Sequence, residues 1–232
     1  MKIKVVFENH PHHPRCIPMW GFSCYIPRYR ILFDTGSNGA VLLRNMEVLD
    51  IPPEEIETIV LSHFHWDHTG GLLDLLQTHG DKEVIIHSAF SITFASEAEN
   101  LGARILIEDH PREILPGAMT TGSLKGPMWE QGLLVRGDEG WALLTGCAHP
   151  GISSMVTTAT KLTGEPLYLV MGGFHLLNLT PQEVAKVARE LLDLGVTSIG
   201  PCHCTGDQAI ETFSGIYEKG CISVGVGLEV EV

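Results

Sequence analysis

The segment that most restricts the fold of this chain is IETIVLSHFHWDHTGG, where an apolar run ends in His63, His65, Asp67 and His68. TIVL reads as a buried strand, and Gly70–Gly71 permits close packing at the start of a following helix. In an extended segment His63 and His65 share one face, because side chains alternate. A turn at Asp67 and His68 aims both inward from another side. The arrangement predicts two metal ions held side by side, one by His63 and His65, the other by Asp67 and His68. A single histidine in a chain of this kind is usually structural or exposed; four donors within six positions at a strand exit point to metal. Phe64 and Trp66, between the donors, read as packing residues.

Two ligands per ion are too few, since zinc takes about four and a catalytic site keeps one position open. Three later segments repeat the form of an apolar strand, a small-residue turn and a histidine: WALLTGCAHPG, LYLVMGGFHL and VTSIGPCHCTG. Sites in α/β folds gather where strands end, so His149 and His203 are the expected further ligands. His175 reads either as a ligand or as an acid serving the substrate. Cys147 is a thiolate donor or a small buried hydrophobe, and Cys202 and Cys204 carry the same alternatives. Asp34, at the exit of ILFDTG, either orients a ligand histidine or caps a turn. HPHH at His10–His13 is the rim of the site or plain surface. His79, His87 and His110 are left without a role.

Elsewhere, strand and helix patterns mix. MKIKVVFEN, WGFSCYI, RYRILFDTG, KEVIIHS, ARILIED, PLYLVMGG and VTSIG read as strands, and EQGLLVRG–DEG–WALLTG as a hairpin. NGAVLLRNMEVL, LLDLLQT, ITFASEAENLG, GISSMVTTATKLTG and QAIETFSGIYEKG read as helices. TPQEVAKVARELLDLG is the clearest helix, with Thr180 as N-cap, Pro181 at N1, Glu183 completing a capping box and Gly195 as the stop. CISVGVGLEV is expected as a last strand. Residues 111 to 125 are too ragged to assign. The chain divides into two halves near residue 115 without a flexible linker, so residues 1–232 are expected to form one domain.

A hydrophobic fraction of 44% supports a sizeable core. The formal charge of −13 argues against a nucleic-acid backbone as partner. The six cysteines form no disulfide framework. No signal-peptide pattern or membrane-length apolar stretch is seen, so a reduced, cytoplasmic protein is expected. DTG at Asp34–Gly36 lacks the second copy that an aspartic-protease site needs. No nucleophile elbow, Walker lysine or dinucleotide-binding glycine pattern is present.

SHFHWDH resembles the HxHxDH motif of the metallo-β-lactamase superfamily, and ILFDTG is similar to that superfamily's upstream strand-and-aspartate element. The resemblance covers essentially the whole chain. It implies an α/β fold, an αβ/βα sandwich of two mixed β-sheets with helices on the outer faces and a dinuclear site at one edge. By resemblance, His63 and His65 belong to the first metal position, and Asp67, His68 and His203 to the second. The superfamily often carries a bridging aspartate in a TGD-like element. Here that element is LLTGCAHPG, with Cys147 in the aspartate's place, and His149 takes the remaining ligand role. WGFSCYI, LLTGCAHPGI, GGFHL and PCHCTG together resemble a narrower branch, that of the 7,8-dihydropterin-6-methyl-4-(β-D-ribofuranosyl)aminobenzene 5′-phosphate synthases.

The implied function is a metal-dependent hydrolase that turns a metal-activated hydroxide on a small molecule, anionic or phosphorylated substrates included. Asp67 is expected to bind metal and accept a proton, and His175 to donate one or hold an anionic oxygen. Arg15, Lys125 and Arg136 are the cationic candidates for a phosphate. The alternatives are the transferase chemistry of the synthase branch, a di-iron redox site, and a non-catalytic metal-binding protein. Two divalent ions are expected, with zinc favoured over iron, manganese or nickel. The expected partner is a small molecule, without nucleic acid or membrane; the sequence leaves the oligomeric state open.

Overall fold

The computed structural model describes residues 1–232. In chain order its strands and helices are β1 (Lys2–Phe7), β2 (Ser23–Ile26), β3 (Ile31–Phe33), α1 (Gly39–Val48), β4 (Thr58–Val60), α2 (Trp66–Thr69), α3 (Leu72–Thr78), β5 (Glu83–Ile86), α4 (Ile92–Asn100) and β6 (Arg104–Ile107). There follow β7 (Glu113–Leu115), β8 (Ala118–Thr120), β9 (Leu133–Arg136), β10 (Trp141–Thr145), α5 (Ile152–Thr163), β11 (Leu167–Gly173), α6 (Pro181–Asp193), β12 (Ser198–Cys202), α7 (Asp207–Tyr217) and β13 (Glu229–Glu231).

The strands form two mixed sheets, ordered β13-β1-β2-β3-β4-β5-β6 and β12-β11-β10-β9-β8-β7. The chain changes sheet between Ile107 and Glu113, close to the expected midpoint, and β13 returns to the first sheet beside β1. Alternation along the strands makes the layers. Val5, Ile31, Phe33, Leu133, Val135, Ala142 and Leu144 face the core between the sheets. Their neighbours Val6 and Leu32 pack outward against α1 and α3, and Leu134 and Leu143 pack outward against α5 and α6. Two polar-faced helical layers thus cover two sheets buried on both faces.

Strands β3, β4, β5 and β6 run parallel, as do β10, β11 and β12. Parallel strands end on the same side, which brings the turns after β3, β4, β10, β11 and β12 to one edge. The capping box of α6 forms as read from the sequence: Glu183 N donates to Thr180 Oγ1, and Thr180 N donates to Glu183 Oε2 at 2.8 Å.

Three expectations change. Trp66, read as a packing residue, is 64% exposed, whereas Phe64 packs against the helix-side core as expected. CISVGVGLEV is not a full strand; only Glu229–Glu231 pairs regularly, and Gly225 and Gly227 lie against His10–His13 instead. The unassigned stretch after Pro111 holds the short antiparallel strands β7 and β8. Their length of three residues each is below what periodicity can register.

Candidate metal centre

Left-handed backbone marks the edge where the strands end. Asp34 after β3, Ala148 after β10, His175 after β11 and His203 beyond β12 have φ of 54°, 57°, 54° and 51°. For residues other than glycine this costs on the order of 1 kcal/mol or more each and persists only where the surroundings impose it. Here it turns each chain sharply off its strand and into one shared space.

The histidines around that space are fixed by the same device. His68 Nδ1 lies 2.7 Å from Asp34 Oδ2, and His63 Nδ1 lies 2.9 Å from Ser62 Oγ, which itself donates to Asp34 Oδ2. His149 Nδ1 lies 2.8 Å from Glu130 Oε2, and His203 Nδ1 lies 3.3 Å from Asn9 Oδ1. Each Nδ1 is thereby tied to a protein acceptor, which turns each Nε2 toward the shared space.

Those nitrogens gather into sets. The donor atoms of His63, His65 and His149 lie within 4.8 Å of one another, and so do those of Asp67, His68 and His203. A third set, His63, His68 and Cys147, links the two, with Cys147 Sγ 3.3 Å from His68 Nε2. Cys147 thus occupies the space between the groups. The donor sets fit divalent cations on a direct observation: His203 Nε2 is buried without a hydrogen-bond partner and lies 3.2 Å from Asp67 Oδ2. A buried orphan nitrogen is costly unless something else satisfies it. His63 Nε2 and His65 Nδ1 also lie 3.0 Å apart, close enough to share one cation.

Sequence reasoning missed the carboxylate that holds the second half of the site. Glu130 is fully buried, and its Oε1 accepts from the N–H groups of Gly146, Cys147 and Ala148 at 3.1, 2.9 and 2.8 Å. Its Oε2 accepts from His149 N at 2.9 Å and from His149 Nδ1. The four successive amides of the TGCAH turn form a nest around one carboxylate. Burial acts to raise the pKa of Glu130, but His63 and the His149 hydrogen bonds hold it well below the usual range. The signal available was an acid in an apolar stretch, MWEQGLL, just before a buried strand. Glu8, at the exit of β1, does similar work: fully buried, it accepts from His203 N at 2.9 Å and from His10 N. Trp20 was also missed; its Nε1 donates to Asp67 Oδ2 at 2.9 Å.

Asp34, against His68 Nδ1, also accepts from Ser62 N at 2.7 Å, the contacts of the orienting alternative. Burial alone would lower the pKa of His68, but Asp34, Asp67 and Glu130 raise it to about 9. Asp67 is likewise pushed up by burial, yet the neighbouring His203 and His68 imidazoles hold it well below the carboxylate range.

His175 is exposed, its ring tilted against that of His149 at 4.6 Å between centroids, and its donor atom groups with the thiols of Cys147 and Cys204. Arg136 does not serve the site. It pairs with Trp141 at the start of β10, the end away from TGCAH, and its guanidinium is taken by Glu165 at 2.6 Å. Cys202, buried in the core between the sheets, takes its hydrophobic alternative.

Such donor clusters at one edge of an αβ/βα sandwich are consistent with a catalytic dinuclear metal centre. The chain belongs to the metallo-β-lactamase superfamily, whose sequence profile matches residues 25–160. Within that superfamily it is similar to 7,8-dihydropterin-6-methyl-4-(beta-D-ribofuranosyl)-aminobenzene-5'-phosphate synthase of Methanocaldococcus jannaschii, at 33% identity over 79% of this chain and 78% of the relative. Its structure is similar to that of Tm1679, a metal-dependent hydrolase of the β-lactamase superfamily, with a TM-score of 0.84, 27% identity and coverage of 100% and 99% of the two chains. The fold is shared with YhfI of Bacillus subtilis at a TM-score of 0.67 and 16% identity, covering 99% and 98% of the chains. No helix is long and apolar enough to cross a membrane.

Proposed function

We propose that the protein is a metal-dependent hydrolase of a small molecule, with His63, His65 and His149 holding one divalent ion and Asp67, His68 and His203 holding a second. The observation that carries this reading is the set of four histidines whose Nδ1 atoms are tied to protein acceptors while their Nε2 atoms turn to one space. Zinc suits the nitrogen, carboxylate and sulfur donors. Divalent ions there would supply Lewis acidity, making water a nucleophile near neutral pH and stabilising negative charge on oxygen.

The chain's own groups do the rest. Asp34, Ser62, Glu130 and Asn9 fix the imidazole tautomers. Cys147 stands where both donor sets can share it, in place of a bridging carboxylate. The depressed pKa of Asp67 keeps it ionised, which suits a ligand better than the proton acceptor expected from the sequence. His175, at the exposed side, is placed to donate a proton to a leaving group or hold an anionic oxygen of the substrate.

A second reading, synthase-type transfer on a phosphorylated pterin or aminobenzene substrate, is favoured by the 33% identity to the Methanocaldococcus jannaschii synthase over most of both chains. Both readings are tested by reconstituting the protein with zinc, iron, manganese or nickel and assaying phosphomonoesters, phosphodiesters, thioesters and lactones beside the pterin-joining reaction. The expected outcome is hydrolysis of one class that disappears in His63→Ala and on chelation. Activity that survives both contradicts a metal mechanism, and joining without hydrolysis selects the second reading.

A further inference from the structure

One donor set remains outside the three described above. Cys147 Sγ, Cys204 Sγ and a ring nitrogen of His175 all lie within 4.8 Å of one another, on three different strand exits. Both cysteines are buried, while His175 is exposed and so opens the group to solvent. Outside this group the thiols are loosely engaged: Cys204 Sγ has a long contact of 3.7 Å to the Cys147 carbonyl, and Cys147 Sγ lies 3.3 Å from His68 Nε2.

The backbone is shaped to bring these groups together. A Cβ on Gly173 would come within 2.6 Å of Cys204 Sγ and 3.2 Å of Cys147 Cα, so the absence of a side chain there is what lets the thiols approach. His175 holds a left-handed conformation two residues later, and Ala148 and His203 hold it beside Cys147 and Cys204. Two thiols and an imidazole form a soft donor set with room for a fourth ligand, the composition that thiophilic d¹⁰ cations select over hard ones.

We infer that Cys147, His175 and Cys204 form a third cation site, selective for a thiophilic ion and sharing Cys147 with the dinuclear centre. Binding there exchanges the thiol protons for the cation, with no change of oxidation state. It also ties down His175, the group placed to meet the substrate, so a third ion at this position inhibits.

Cd²⁺ is the probe, because sulfur-to-cadmium charge transfer reports thiolate ligation directly. Full-length protein, stripped of metal and kept reduced, is titrated with Cd²⁺ and followed by ultraviolet absorption and by cadmium NMR. The wild type is expected to bind a third equivalent after the first two, with a third resonance shifted by thiolate ligation. Cys204→Ser is expected to lose that equivalent and about half of the charge-transfer absorbance, one of two thiolates, while keeping the first two equivalents. His175→Ala is expected to weaken the third equivalent alone, and Cys221→Ser to leave the titration unchanged. Retention of the first two equivalents shows that each variant is folded; should Cys204→Ser unfold, the resonance count of the wild type decides. Saturation of the wild type at two ions, or an unaltered titration in Cys204→Ser, overturns the third site and leaves the dinuclear reading standing. Failure to bind any ion removes both.

Discussion

The two halves of the site reach the same geometry by different routes. On the first sheet, His63, His65, Asp67 and His68 come from one contiguous stretch after β4, and one buried carboxylate, Asp34, orients two of them through Ser62 and directly. On the second sheet the donors are one or two per strand exit, Cys147 and His149 after β10, His175 after β11, and His203 and Cys204 after β12. There Glu130 binds the whole TGCAH turn, and Glu8 reaches across from the first sheet to hold the His203 amide. Both halves place a buried anion behind the histidines. The difference is that the first half draws its donors from one stretch of chain, while the second assembles them from three strand exits.

Removing the anion of the second half should therefore do the most damage. Glu130→Gln presents an amide NH₂ to a nest of N–H donors and removes the charge that faces them. Breaking so enclosed an ionic arrangement is expected to cost about 3–5 kcal/mol of stability. Chemical denaturation of the metal-free variant measures it, and a loss under about 1 kcal/mol would show that the turn holds itself.

On the first half, Asp34→Asn is expected to lower metal affinity by about 10- to 100-fold, the usual effect of losing a carboxylate behind a ligand histidine. Competition with a chromophoric chelator reads this. The same substitution alters the pH response of the metal-free protein. His68 has a folded-state pKa raised to about 9 from the ordinary 6.5, so its contribution to stability is fully present below pH 6.5. That contribution is lost as pH rises through about 9, and denaturation midpoints measured across this window should fall in the wild type. They should stay flatter in Asp34→Asn, and equal slopes would remove Asp34 as the cause.

The smallest effect is expected at Trp20→Phe, which deletes a single hydrogen bond to Asp67 Oδ2. A single hydrogen bond contributes about 0.5–1.5 kcal/mol net, so affinity for the ion held by Asp67, His68 and His203 should fall by less than about tenfold. Loss of the ion held by His63, His65 and His149 instead would place Trp20 in the wrong half.

The contrast between the halves also explains what could be read in the sequence. HFHWDH was legible because its donors are neighbours in the chain and its spacing alone brings them together. The segments of His149, His175 and His203 were legible as repeats of strand, small turn and histidine, and the strand alternation made both sheets readable. Glu130 and Glu8 were not, because each works chiefly through backbone amides of a distant turn, and residue type and spacing do not say which amides a buried acid will meet. The grouping of His175 with the thiols had the same obstacle: three strand exits meet there, and only the parallel order β10-β11-β12 places them side by side. Arg136 failed for a related reason, since sequence does not say at which end of a hairpin a side chain stands.

The convergence of both halves on one centre is tested most directly by anomalous X-ray diffraction from crystals of the zinc-loaded protein. The expected map has one peak bonded to His63, His65 and His149 and another bonded to Asp67, His68 and His203. A map whose zinc peaks touch residues of only one half, or lie away from these six side chains, would contradict it.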